Sequence, residues 1–132
     1  MSLEKSSRKL EQLAKKTLKF LAARDRRARN AALDIILLPH RDIAALKRRF
    51  IKKKGEPNVL AFPEPARFPH PEMKKRYLGE IFLNKDILKR EPGRAAPLLV
   101  HGILHLLGYD HGRKIAAARM ERTERRILAA IR

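Results

Sequence analysis

A chain of 132 residues has room for one domain, expected to span 1–132, with a modest core. Its 32 Lys and Arg against 14 Asp and Glu leave a net charge of +18, which points to a polyanionic partner and away from small neutral substrates. The absence of cysteine excludes disulfides and thiolate metal sites, and 5% aromatics with no tryptophan argues for phosphate contacts from Lys and Arg over a base-stacking platform or a membrane anchor.

Leu10, Leu13, Ala14, Thr17, Leu18 and Leu21 recur at helical spacing with lysines between them, so the first element is an amphipathic helix. The stretch Met1 to Phe20 is charged throughout and holds no signal-peptide core, and no apolar run reaches membrane-spanning length. A soluble, cytoplasmic protein is therefore expected. Arg24 to Asn30 is a basic connector, and Asp34 to Leu38 is a short buried strand ended by Pro39. Residues 42–52 form a second helix with Ile43, Leu46, Phe50 and Ile51 inward, broken by the Lys-rich run to Gly55. Asn58 to Phe62 is a strand closed by Pro63, residues 64–76 with Pro65, Pro69 and Pro71 are an irregular loop, and Tyr77 to Asn84 is another strand, so the pair reads as a long-looped hairpin. Residues 95–107 form a helix with Pro97 in its first turn. Residues 113–131 form a basic helix with Met120, Ile127, Leu128 and Ile131 facing in. The fold class expected is α+β: a small mixed sheet of three to four strands, packed with about four helices, with a metal site on a buried central helix.

The chemistry concentrates in His101-Gly-Ile-Leu-His105-Leu-Leu-Gly-Tyr-Asp-His111, which holds three of the five histidines. A helix this apolar is buried, and imidazoles on it need a partner to offset desolvation. Residues i and i+4 project from one helical face a turn apart, so His101 and His105 form a chelating pair. Gly108 stops the helix, and the chain swings back to supply His111. Three neutral imidazoles suit zinc, with nickel or another divalent transition metal also possible chemically, and leave a fourth position for water. Gly102 stands where zinc proteases of the His-Glu-x-x-His type carry a glutamate base, which argues against peptide hydrolysis by that route. The same glycine leaves room for a bulky substrate or for close packing. Asp110 either orients a ligand histidine or favours the turn, and Tyr109 is a packing residue.

That eleven-residue run resembles the signature of the YbeY family, bacterial endoribonucleases also called rRNA maturation factors. Pro57-Asn58-Val59-Leu60-Ala61-Phe62-Pro63 is similar to the family's Pro-Thr-(Asp/Asn)-Val-Leu-Ser-Phe-Pro strand, and Leu78-Gly79-Glu80-Ile81 to its Leu-Gly-Asp-Ile strand. The resemblance covers roughly residues 5 to 132. It implies an α+β fold, a metal held by His101, His105 and His111, and cleavage of single-stranded RNA in rRNA 3′-end maturation and small-subunit quality control.

Two departures stand out. The family begins with a strand before its first helix, and this chain starts at the helix, which leaves about three strands. The family's functional arginine aligns with Ile51 or Lys52, with Arg49 able to serve from a neighbouring position; a lysine keeps the charge but not the bidentate fork that matches phosphate. The catalytic set expected is therefore His101, His105, His111, Lys52 and Arg49, with basic residues from Arg48 to Lys54 stabilising the transition state. The metal either activates water or polarises a phosphoryl oxygen for attack by a 2′-hydroxyl. Glu80 is a general base, a support for a ligand, or structural; His40 and His70 are surface residues. The partners expected are single-stranded RNA and the small ribosomal subunit, no membrane, with the protein a monomer. The other classes to separate are a weakly active RNA-binding or ribosome-binding assembly factor with a structural metal, and a metallohydrolase of another substrate.

Overall fold

The structure, a computed structural model, describes residues 3–51, 57–64, 75–109 and 112–131. Helix α1 (Leu3–Ala22) leads through a short 3-10 turn (Arg26–Ala28) into β1 (Ala31–Leu38). Then come α2 (His40–Phe50), β2 (Val59–Pro63), β3 (Arg76–Asn84), α3 (Lys85–Arg90), a second 3-10 turn (Pro92–Arg94), α4 (Ala95–Leu106) and α5 (Lys114–Ile131). The α+β class is as the sequence indicates, and the described residues form a three-stranded mixed sheet and five α-helices where about four helices were expected.

Strand β3 is the centre of the sheet, parallel to β1 and antiparallel to β2. Its sequence alternates, and Gly79, Ile81 and Leu83 are buried on one face. That face receives α4, which lies between the sheet on one side and α1 and α5 on the other. Leu99, Val100, Ile103 and Leu104 of α4 have no exposed surface. This is why the helix is apolar nearly all round: it is covered from both sides. Burying four such side chains contributes roughly 6–12 kcal/mol before chain entropy is subtracted.

Gly102 explains how close α4 approaches. A Cβ there would sit 3.0 Å from Ile81 Cγ2 and 3.3 Å from Val59 Cγ2. The missing side chain makes room for the sheet, not for a substrate, and any longer residue at this position would point away from solvent into β2 and β3.

The opposite face of the sheet carries α2. Ile43 and Leu60 are buried there, and Phe50, Phe62 and Phe82 form a chain of edge-to-face rings with centroids 5.8 and 5.6 Å apart. Two expectations shift at α2. The helix runs 40–50 instead of 42–52, because Pro39 already caps it and Ile51 leaves helical geometry. Phe50 is not inward but 58% exposed: as the last helical residue it leans one edge on Phe62 and turns the rest outward.

Helix α3 is an element the hydrophobic periodicity does not announce, being six residues long. Asn84, fully buried at the end of β3, creates it by accepting hydrogen bonds at Oδ1 from Asp86 N (3.0 Å) and Ile87 N (3.2 Å). Its Nδ2 donates to Pro57 O at 3.1 Å and meets His40 Nδ1 at 3.0 Å, so His40, though exposed, is tied to the strand end. Among the described residues no helix is long and apolar enough to cross a membrane.

Candidate active site

Helix α4 delivers the two histidines as the i,i+4 spacing requires. His101 Nε2 and His105 Nε2 lie 3.0 Å apart, with ring centroids at 4.5 Å and planes at 73°. Two Zn–N bonds of about 2.0–2.1 Å at a tetrahedral angle span about 3.3 Å, so the pair is close to the separation a shared cation needs. The far side of His101 is also set. Its Nδ1 lies 2.7 Å from Glu124 Oε1 on α5. A carboxylate at Nδ1 takes the ring N–H there and leaves the Nε2 lone pair directed at His105. The donor chemistry therefore fits a divalent metal.

The third histidine, His111, lies outside the described residues, as do Asp110, Lys52 and His70. Among the described residues no group of three or more metal-ligating side chains is gathered. Of the three expected ligands, the described residues bring His101 and His105 together, and a metal site on α4 is not shown among them.

The turn that leads toward His111 is well defined. Gly108 has φ +94°, a left-handed value. Gly108 N donates to His105 O at 3.0 Å and Tyr109 N to Leu104 O at 3.0 Å, which is a complete Schellman closure of α4. Leu107 O accepts a hydrogen bond from Arg27 Nη1 on the connector between α1 and β1. Arg27 is itself held by Asp25, through Nε to Oδ1 at 3.0 Å and Nη2 to Oδ2 at 2.7 Å. Arg27's side-chain hydrogen bonds hold the Asp25 carboxyl below its ordinary pKa. Tyr109 packs against the core, 5.5 Å from the Arg27 guanidinium carbon, in the packing role expected of it.

The remaining candidates fall elsewhere. Arg49, exposed near the end of α2, places its guanidinium carbon 5.4 Å from the Phe50 ring centroid. Among the described residues no hydrogen bond or ion pair joins it to His101 or His105. Glu80 lies on the α2 face of β3, opposite the face on which Ile81 meets Gly102. It is therefore poorly placed as a base beside the histidines. Nearby, burial and a 2.7 Å hydrogen bond donated to Asp34 Oδ2 raise the Tyr77 phenol well above its ordinary pKa.

Glu124 is the contact the sequence reading passed over. The signal was present: positions 120, 124, 127, 128 and 131 lie on one helical face, and Glu124 is the sole acid among Met120, Ile127, Leu128 and Ile131. A carboxylate on an apolar stripe needs a partner.

The fold and site define a small α+β protein whose most buried helix presents two converging imidazoles, one of them backed by a carboxylate. The family model of Endoribonuclease YbeY matches residues 2–132. Among curated proteins, "Endoribonuclease YbeY" of Chelativorans sp. is 32% identical over 130 residues, covering 92% of this chain and 79% of the relative. The proteins of the same name from Halorhodospira halophila and Sinorhizobium medicae are 35% and 36% identical, covering 78% and 85% of this chain and 72% and 73% of their own. The chain belongs to the YbeY family.

Proposed function

We propose that this protein is a metal-dependent endoribonuclease that cuts single-stranded RNA, acting in rRNA 3′-end maturation and small-subunit quality control. The observation that carries the reading is the Nε2–Nε2 approach of His101 and His105 at 3.0 Å, with His101 backed by Glu124, in a chain of this family. His101, His105 and His111 would hold the ion, zinc first and nickel or a similar divalent metal next. When bound, such an ion supplies an electrophile that activates water or polarises a phosphoryl oxygen.

The chain's own residues do the rest. Glu124 holds the Nδ1 proton of His101 and so fixes which nitrogen faces the site. Arg27 and Gly108 set the end of α4 from which the third histidine departs. Arg49 and Lys52 bind substrate phosphate, the first with a fork and the second as a point charge. The net charge of +18 draws the polyanion in and makes association salt-dependent. The protein works as a cytoplasmic monomer on the small ribosomal subunit.

His105→Ala tests the reading. A nuclease keeps its fold and its affinity for a single-stranded RNA oligonucleotide and loses cleavage by at least a hundredfold. Loss of folding and RNA affinity together would instead identify an assembly factor with a structural metal.

A further inference from the structure

A second feature lies beside the histidines without sharing them. A cavity of about 500 Å³ opens between the end of α1, the connector to β1, and α5, and five arginines line it: Arg24, Arg27, Arg119, Arg122 and Arg126. Among the described residues Asp25 is the one acid lining the cavity, and it is already committed to Arg27 by side-chain contacts at 2.7–3.2 Å. Arg119, Arg122 and Arg126 follow each other at i, i+3 and i+7, so they form one stripe along α5. Among the described residues none of these three guanidinium groups is paired with a carboxylate.

Like charges gathered in a concave site repel one another, and an anion bound among them offsets the repulsion. The choice of residue narrows the anion. The outer turns of α1 carry lysines at 15, 16 and 19, whereas among the described residues every basic side chain lining the cavity is an arginine. Arginine's planar fork matches phosphate oxygens two at a time. Phe20 and Tyr109 also line the cavity, with the Arg24 guanidinium carbon 3.9 Å from the Phe20 ring centroid and that of Arg27 5.5 Å from the Tyr109 centroid, so the rings back two of the five arginines. The volume suits a nucleotide-sized group.

Two residues tie the cavity to the histidine centre along the chain. Tyr109 belongs to the turn between Gly108 and His111, and Thr123 precedes the Glu124 that holds His101. We propose that this arginine-lined cavity is a phosphodiester-binding subsite for single-stranded RNA, holding backbone phosphate of nucleotides that flank the cleaved one. The proposal rests on the endoribonuclease reading for its choice of RNA.

The test compares two charge-matched triple variants: Arg119→Gln/Arg122→Gln/Arg126→Gln, and Lys15→Gln/Lys16→Gln/Lys19→Gln. Affinity for a fluorescein-labelled single-stranded RNA 12-mer is measured across a salt series, and both folds are checked by circular dichroism. Loss of three phosphate contacts flattens the slope of log K against log salt by about 2. The cavity variant is expected to show that flattening and at least a tenfold loss of affinity at low salt. The lysine variant is expected to change affinity less than threefold. Equal losses in the two variants, or an unaltered cavity variant, overturn the proposal. An independent reading uses the unmutated protein: 4-thiouridine RNA is expected to crosslink at Phe20 or Tyr109, and crosslinks confined to other segments count against the subsite. If the unmutated chain binds RNA through the cavity yet cuts none, the activity reading fails and the subsite stands. If it cuts RNA and the cavity variant keeps its KM and salt slope, the subsite fails and the activity stands.

Discussion

Removing the Glu124 carboxylate should weaken metal binding without unfolding the protein. The contact to His101 Nδ1 is 2.7 Å, short enough to be charge-assisted. Outer partners of metal-ligating histidines are worth about 10- to 100-fold in affinity. The two side chains are 34% and 24% exposed, so solvent screens the interaction and the lower end applies. For Glu124→Ala the expected loss is about tenfold, or about 1.4 kcal/mol. Glu124→Gln keeps an acceptor oxygen and the shape but loses the charge, and should lie between the two, at about threefold. Zinc affinity is read by competition with a chromophoric chelator at fixed pH, with the fold followed by circular dichroism. The expected order is wild type, then Gln, then Ala. An alanine variant that binds zinc as tightly as wild type would refute the idea that this carboxylate orients the ligand.

Three further outcomes follow from the same geometry. Gly108→Ala places a side chain at φ +94° with its Cβ 3.2 Å from Arg27 Nη1, so the fold should lose about 1–2 kcal/mol, visible as a lower denaturant midpoint with an unchanged slope. Asp25 has a folded-state pKa below its ordinary value of 3.8, so the unfolded chain binds more protons and the group's contribution is present above that value and lost as pH falls through the lower, folded one. Asp25→Asn should therefore be less stable than wild type near neutral pH, by under about 1 kcal/mol, with the gap closing in acid, and a gap that persists to about pH 2 would contradict this. Lys52→Ala should reduce the salt dependence of RNA binding by about 0.7 in slope if Lys52 contacts a phosphate, and an unaltered slope would remove it from the site.

Much of the architecture could be read from periodicity. The stripe of α1, the alternation of β3 and the apolar length of α4 each have one dominant repeat, and each becomes the element that repeat describes. What escaped was decided by single polar side chains or by chain ends. Helix α3 is too short for periodicity and exists because the buried Asn84 caps it. Phe50 has a core residue's chemistry but sits at a helix terminus, where half its surface faces outward. At the site, the His101–His105 pair follows from helical geometry alone, and Gly108 adopts the left-handed cap its position indicated. Glu124 lies 23 residues from His101, and local spacing says nothing about contacts between elements. The same holds for the Arg27 bond to Leu107, which spans 80 residues. Glu80 shows the converse: its motif suggested chemistry, and the side on which it leaves β3 points it toward α2.

In the proposed function, RNA cleavage depends on an ion held by His101, His105 and His111. The direct measurement is cleavage of a single-stranded rRNA fragment by protein stripped with a chelator, before and after stoichiometric zinc is restored. The stripped protein is expected to cut no RNA and to regain cleavage when zinc is added. Undiminished cleavage by protein shown to contain no divalent metal would contradict that dependence.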